Sequence, residues 1–172
     1  ALIKDRQTYL RERFDRVGAV ISPSHFLREI HVQAGIPGDR ITVSRQGNAI
    51  IDRGLHLGFR RKPANKLRVA YLGQIIEVKG VHVLAEAMRF IRDPRLEVKI
   101  YGDLTRAPDY AQRLRSVIGA DPRITLAGTY TGIDGLSDVL AETDVIVVPS
   151  LWYENSPTVL LEAFALKTPA IV

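Results

Sequence analysis

The chain has 172 residues, a net charge of +5 and no cysteine. The missing cysteines exclude disulfides, cysteine nucleophiles and cysteine-ligated metals, and they fit a reducing compartment. No apolar run approaches the roughly 18 residues that a membrane helix needs, and the opening ALIKDRQTYLRER is charged and amphipathic rather than signal-like.

In chain order, residues 5–16 predict a charged helix, 19–22 a short strand, and 25–34 a helix with Ser24 as its N-cap. Ile41–Val43 predicts another short strand. These are too few strands for a sheet of their own, so the region is expected to be the tail of a preceding domain. Residues 60–66 (RRKPANK) are polar, contain a proline and read as a linker. The first 70 residues hold 14 Lys/Arg against 6 Asp/Glu, and the other 102 hold 10 against 13. A basic first part suits a membrane surface, a nucleic acid or a phosphorylated substrate, and equally a solvated face. No basic motif is interleaved with aromatics, so no nucleic-acid partner is expected.

From residue 68 the pattern alternates. RVAYL (68–72) predicts a buried strand ending at Gly73, and Val81, Leu84, Ala85, Met88 and Ile91 then fall on one helical face. Leu96–Tyr101 predicts a second strand, and Tyr110, Leu114, Val117 and Ile118 a second helical stripe. Residues 124–127 predict a third strand, and Leu136, Val139 and Leu140 a short helix. The run VIVV (145–148) predicts a fourth strand. Residues 157–166 then predict a helix facing inward through Val159, Leu160, Ala163 and Leu166, and 169–172 the start of a further strand. Repeated strand–helix units predict an α/β, doubly wound, Rossmann-like parallel sheet. Val172 falls inside a predicted core strand, so 68–172 reads as a domain incomplete at its C-terminus.

In such sheets ligands sit beyond the carboxyl ends of the strands, which directs attention to loops 73–80, 102–108, 128–135 and 149–157. The first pairs Gly73 with Lys79 before a helix and suits an anion such as phosphate, although ordinary turn and surface roles account for both residues as well. It is neither G-x-G-x-x-G nor a Walker loop. The last loop carries Trp152, Tyr153, Glu154 and Asn155. Ser156 is expected to be an N-cap and Pro157 the first helical residue, giving a helix end that attracts phosphate. Glu154 would lie at the mouth of the crevice and Glu162 along its wall. A carboxylate engages vicinal hydroxyls well, so two of them flanking a phosphate site suit a nucleotide-sugar. Solvated surface roles and a general acid–base pair of the glycoside-hydrolysis kind remain alternatives.

These stretches carry a resemblance. LGQIIEVKGVHVLAEAM, VKIYGD, ITLAGTY, DVIVVPS and the E-x7-E of ENSPTVLLEAFA resemble the donor-binding half of a retaining, family 4 glycosyltransferase of the two-domain GT-B fold. The segment SPSHFLREIHVQAGIPGDRITVSRQGNAI is similar to that family's crossover from the acceptor domain. The resemblance implies three parts: 1–59 as the end of the N-terminal acceptor domain and crossover, 60–67 as linker, and 68–172 as the nucleotide-sugar-binding domain. It implies that Glu162 holds the ribose hydroxyls and Glu154 the hydroxyls of the donor sugar. Asn155, Ser156, Pro157 and Thr158 would face the sugar and distal phosphate. Lys79 would neutralise the departing diphosphate beside Gly73, and the loop from Gly128 to Tyr130 would lie near the base. The family has an arginine where this chain has Gln74.

The implied activity is metal-independent, retaining transfer of a sugar from a UDP- or GDP-sugar to a carbohydrate or lipid-linked hydroxyl acceptor, with no cofactor. Lys79 and Glu154 would be its catalytic residues, and the fragment alone would turn over little. The implied setting is cytoplasmic, with peripheral attachment to the inner face of a membrane left open. The oligomeric state is not indicated. A non-catalytic nucleotide-sugar-binding module, and an epimerase or hydrolase of similar fold, are the alternative readings.

Overall fold

Val69, Ala70, Tyr71 and Leu72 are buried in succession, so both faces of their strand must be covered. The computed structural model describes residues 2–14, 16–47 and 59–172. The chain divides into two compact units, Ala1–Gly47 and Asn48–Val172. Residues 48–58 of the expected crossover lie outside the described residues.

The first unit contains α1 (Leu2–Phe14), β1 (Val20–Ser22), α2 (His25–Gln33) and β2 (Ile41–Val43). Ser24 caps α2 as expected, its hydroxyl accepting from the Leu27 N–H at 3.1 Å. Arg40 donates to the carbonyls of Phe14 and Val17 at 2.8 and 2.7 Å, satisfying acceptors at and just past the end of α1. The expectation that this region forms no sheet is corrected. β1 and β2 pair in parallel, Val20 opposite Ile41 and Ser22 opposite Val43. Helix α2 and the 3-10 turn Gly38–Arg40 supply the crossover that makes two parallel strands adjacent.

The second unit contains β3 (Leu67–Leu72), α3 (Val81–Ala87), β4 (Leu96–Tyr101), α4 (Pro108–Ile118), β5 (Ile124–Gly128), α5 (Gly132–Ala141), β6 (Val145–Val147), α6 (Thr158–Ala165) and β7 (Ala170–Ile171). All strands are parallel, in the order β5-β4-β3-β6-β7. Val69 and Tyr71 pack on one face with Val81, Ala85 and Met88 from α3 and its end, and with Leu114 from α4. Ala70 and Leu72 pack on the other with Leu136 and Leu140 from α5, and with Ala163 and the buried Leu166 at the end of α6. The doubly wound α/β expectation therefore holds. Each fully buried leucine contributes about 2–3 kcal/mol of apolar transfer.

Two details differ from the sequence pattern. Ile91 is 43% exposed, because the helix tightens into a 3-10 turn at Met88–Phe90 and the stripe loses its period there. Opposite β4, β5 carries one extra residue: Ile100 pairs with Leu126 and Tyr101 with Gly128, which skips Ala127.

Arg68 and Asp144 tie the central strands at their amino ends. Asp144 accepts from the Arg68 backbone N–H at 2.8 Å and from its guanidinium at 3.1 and 3.0 Å. Those bonds, acting against partial burial, hold the Asp144 carboxyl below the ordinary carboxylate range.

Candidate functional site

The strand order reverses at β3: β4 lies on one side of it and β6, reached through two more crossovers, on the other. The loops leaving β3 and β6 must therefore part in opposite directions, and a crevice opens between them. It holds a depression of about 380 Å³. Gly73, Gln74, Lys79, Glu154, Ser156, Pro157 and Thr158, seven of the residues predicted from the sequence, line it.

Two glycines make this approach of loops feasible. Gly80 has φ +65°, and a Cβ there would lie 1.9 Å from the Pro149 carbonyl oxygen. Only glycine permits both the left-handed backbone and the contact. Beside it the Leu151 N–H donates to the Val78 carbonyl at 2.9 Å, so the 73–80 and 149–157 loops are joined directly. At Gly102 a Cβ would meet the Gly73 carbonyl oxygen at 2.2 Å, which seats the loop after β4 against the loop after β3.

Glu154 is the centre of the polar network. Its Oε1 accepts from Lys79 Nζ at 2.7 Å, from Trp152 Nε1 at 3.1 Å, and from the Ser150 hydroxyl. Ser150, Trp152 and Glu154 come from one loop, whose bend at Leu151 and Trp152 turns it back on itself. Among the described residues every one of these donors engages Oε1 and none engages Oε2. Burial acts to raise the Glu154 carboxyl, but the bonds from Lys79, Ser150 and Trp152 outweigh it and hold it below its ordinary range. Glu154 is therefore ionised at neutral pH with one oxygen open. The Lys79 ammonium also sits 5.0 Å from the centre of the Trp152 ring. Across the crevice, the Tyr71 hydroxyl donates to the Gln74 carbonyl at 2.7 Å and fixes the backbone there.

The expected start of α6 is corrected. Ser156 makes no capping bond, and Pro157 is the N-cap rather than the first helical residue, with φ −67° and ψ 111°. A proline pushes the residue before it out of the helical region, and here the proline itself is extended, so the helix begins at Thr158. The first turn closes with Leu160 N–H donating to the Pro157 carbonyl at 3.0 Å.

The remaining predicted residues lie elsewhere. Asn155 is exposed and lines neither this depression nor its neighbour. The neighbour, of about 270 Å³, shares Gly73 and Gln74 and adds Tyr101, Arg106, Thr129 and Tyr130. Gly128 stands at its edge, its carbonyl accepting from the Gly102 N–H at 2.7 Å. Glu162 is half-buried on α6 and lines neither depression. Burial, with the Glu162 charge, pushes the Tyr130 phenol up. The two glutamates are placed differently, Glu154 in the first depression bonded to Lys79 and Glu162 on α6 outside both. Sequence reasoning missed Ser150, Tyr71 and Arg106. Only Ser150 had a signal, its two-residue spacing from Trp152 and Glu154 after a strand.

Comparison with known proteins agrees with this fold. A family model described as "Glycosyl transferases group 1" matches residues 66–172. A GDP-mannose:glycolipid 4-beta-D-mannosyltransferase of Xanthomonas campestris pv. campestris is 31% identical over 104 residues, covering 60% of this chain and 29% of that protein. A D-inositol 3-phosphate glycosyltransferase of Arthrobacter sp. (strain FB24) is 31% identical over 154 residues, covering 86% and 35%. Among solved structures, the Anabaena protein HepE in complex with UDP and glucose superposes with a TM-score of 0.76 at 22% identity, covering 95% of this chain and 47% of that one. A glycosyltransferase from Rickettsia africae ESF-5 superposes with a TM-score of 0.77 at 18% identity, covering 88% and 43%. The chain spans about a third of the length of these curated relatives and under half of these solved chains.

Proposed function

The chain belongs to the glycosyl transferases group 1 family, with the α/β architecture of GT-B glycosyltransferases, and on that premise we propose that residues 68–172 bind the nucleotide diphosphate sugar of a retaining glycosyl transfer. The observation that carries the reading is the meeting of Lys79 and Glu154 at 2.7 Å in the crevice where the strand order reverses. Residues 1–59 are read as the end of an acceptor-binding domain with its crossover, and 60–67 as the linker. The acceptor is a carbohydrate or lipid-linked hydroxyl, and the donor a UDP- or GDP-sugar. The relatives' names support both, through a GDP-mannose:glycolipid enzyme and a structure holding UDP and glucose.

The chemistry follows from the charges. The bond between the anomeric carbon and the distal phosphate oxygen breaks, and negative charge grows on the departing diphosphate. Lys79 and the backbone N–H groups at the start of α6 favour that charge, so no metal ion is required. The open Oε2 of Glu154 accepts from hydroxyls of the sugar, Glu162 takes the ribose hydroxyls, and Gly73, Ser156, Pro157 and Thr158 shape the wall around the phosphates. Asn155 borders the sugar, and the segment from Gly128 to Tyr130 borders the base.

Calorimetry of the chain with UDP, GDP, UDP-glucose and GDP-mannose tests the reading. Saturable binding of at least one is expected. Glu162→Ala should weaken the bare nucleotide, whereas Glu154→Ala should weaken mainly the intact sugar nucleotide. A folded sample that binds none of the four overturns the donor-site reading. Equal loss of bare nucleotide in both variants overturns the division of roles.

A further inference from the structure

The two depressions at the carboxyl edge of the sheet meet at Gly73 and Gln74, which line both, and each holds one cation and one carboxylate, Lys79 with Glu154 in the first and Arg106 with Asp103 in the second. In the first, Lys79 is bonded to Glu154, so its positive charge is already largely compensated. In the second, Arg106 is exposed and makes no hydrogen bond or ion pair among the described residues. Its electrostatic neighbour is Asp103. The Oδ1 of Asp103 already accepts from the Thr105 N–H at 2.8 Å and hydroxyl at 2.7 Å, which folds the 102–107 segment into a side-chain-closed turn. Between the two depressions the side chain of Gln74 is exposed, uncharged and likewise without a partner among the described residues.

An anion lying across Gly73 would therefore meet a cation tied directly to a carboxylate on one flank, and on the other a guanidinium that no hydrogen bond or ion pair among the described residues holds. We propose that Arg106 is a phosphate-contacting residue of the donor site, reaching the nucleotide diphosphate from the flank opposite Lys79. This rests on the donor-site reading above. A guanidinium suits the task better than a second lysine, because its planar fork matches two phosphate oxygens at once. An exposed guanidinium also gives up little protein bonding when it turns to a phosphate. Arg106 then supplies the positive charge that the neutral Gln74 does not.

The test compares UDP and GDP with uridine and guanosine, titrated by calorimetry into the wild-type chain and into Arg106→Ala, Arg106→Lys and Arg115→Ala. Arg115 is an exposed arginine on α4 that lines neither depression and controls for net charge. Arg106→Ala should weaken the diphosphates about tenfold, as the loss of one charge-assisted bond would, with nucleoside affinity unchanged. Arg106→Lys should fall between, and Arg115→Ala should match wild type. Raising the salt concentration should weaken wild type more than Arg106→Ala. Wild-type diphosphate affinity in Arg106→Ala overturns the proposal, and so does equal loss of diphosphate and nucleoside. If the wild-type chain itself binds no nucleotide, the donor-site reading falls, and this proposal with it.

Discussion

Lys79 and Glu154 lie 75 residues apart in the sequence and 2.7 Å apart in space, each about one-fifth exposed. Neither would hold its place alone. The ammonium prevents a partly buried carboxylate from taking up a proton, and the carboxylate fixes a long side chain that would otherwise sample many rotamers. A double-mutant cycle of Lys79→Ala and Glu154→Gln in urea should give a coupling of about 1–2 kcal/mol. Additive effects would mean that the pair is positional and not energetic.

Gly80 should tolerate no side chain. Gly80→Ala is expected to destabilise the fold by about 3 kcal/mol or more, because positive φ and collision with the Pro149 carbonyl act together. Gly132 separates the two causes. It has the same φ, +65°, with nothing within 4 Å of its would-be Cβ, so Gly132→Ala should cost only about 1–2 kcal/mol. Thermal melts of the two variants give the comparison, and equal shifts would refute the role of the close contact.

Asp144→Asn should destabilise by about 2 kcal/mol, the scale of a hydrogen-bonded charge pair. The asparagine keeps one acceptor but turns an NH2 group toward Arg68, which presents only donors at this point. Urea midpoints measure the effect. The nucleotide affinity should not change, since the pair lies at the end of the sheet away from the crevice.

Acid should unfold the chain through three carboxyls held below their ordinary range. Hydrogen bonds from Arg68 depress Asp144, hydrogen bonds from Lys62 and Lys99 depress Glu142, and the Lys79, Ser150 and Trp152 donors depress Glu154 despite its burial. A carboxyl whose folded value lies below its unfolded value stabilises fully above the ordinary carboxylate range, about pH 4. That stability disappears as pH falls through the depressed folded values. Chemical denaturation from pH 7 to pH 3 should show a plateau and then a fall beginning near about pH 4–5, shallower in Asp144→Asn. A flat profile would mean that these carboxyls are not linked to folding.

The sheet of the second unit was legible because its central strand is buried on both faces and most of its helical stripes keep their period. Val69, Ala70, Tyr71 and Leu72 are all under 9% exposed, and a continuous apolar run of that length, closed by a glycine, fits little besides a strand covered on both sides. The pairing of β1 with β2 was not legible, since three-residue strands leave too short a pattern. The start of α6 was misread by one residue because serine before proline satisfies the statistics of a cap without stating the proline's own ψ. Within the site, Lys79 and Glu154 could be named from sequence, but not their bond. That bond depends on Gly80 meeting Pro149, a contact between distant residues that no local pattern encodes. Arg106 was invisible for the opposite reason: an exposed arginine in a loop looks like any other until its neighbours are known to lack positive charge.

The skipped residue in β5 acts as a change of parity. Up to Leu126 the strand marches in step with β4, and its inward and outward side chains are set by the core. Past Ala127 the alternation restarts from a different phase: Gly128 pairs with Tyr101, and Tyr130 packs against the cluster that holds Leu72 and Leu136. Tyr130 comes to lie edge-on to Tyr101, the ring centres 6.3 Å apart, in the depression that also holds Arg106. Deleting Ala127 would restore the count, leaving the strand pairs before it in register while turning the side chains beyond it to the opposite face. One residue thus sets which face of the sheet edge Tyr130 reaches.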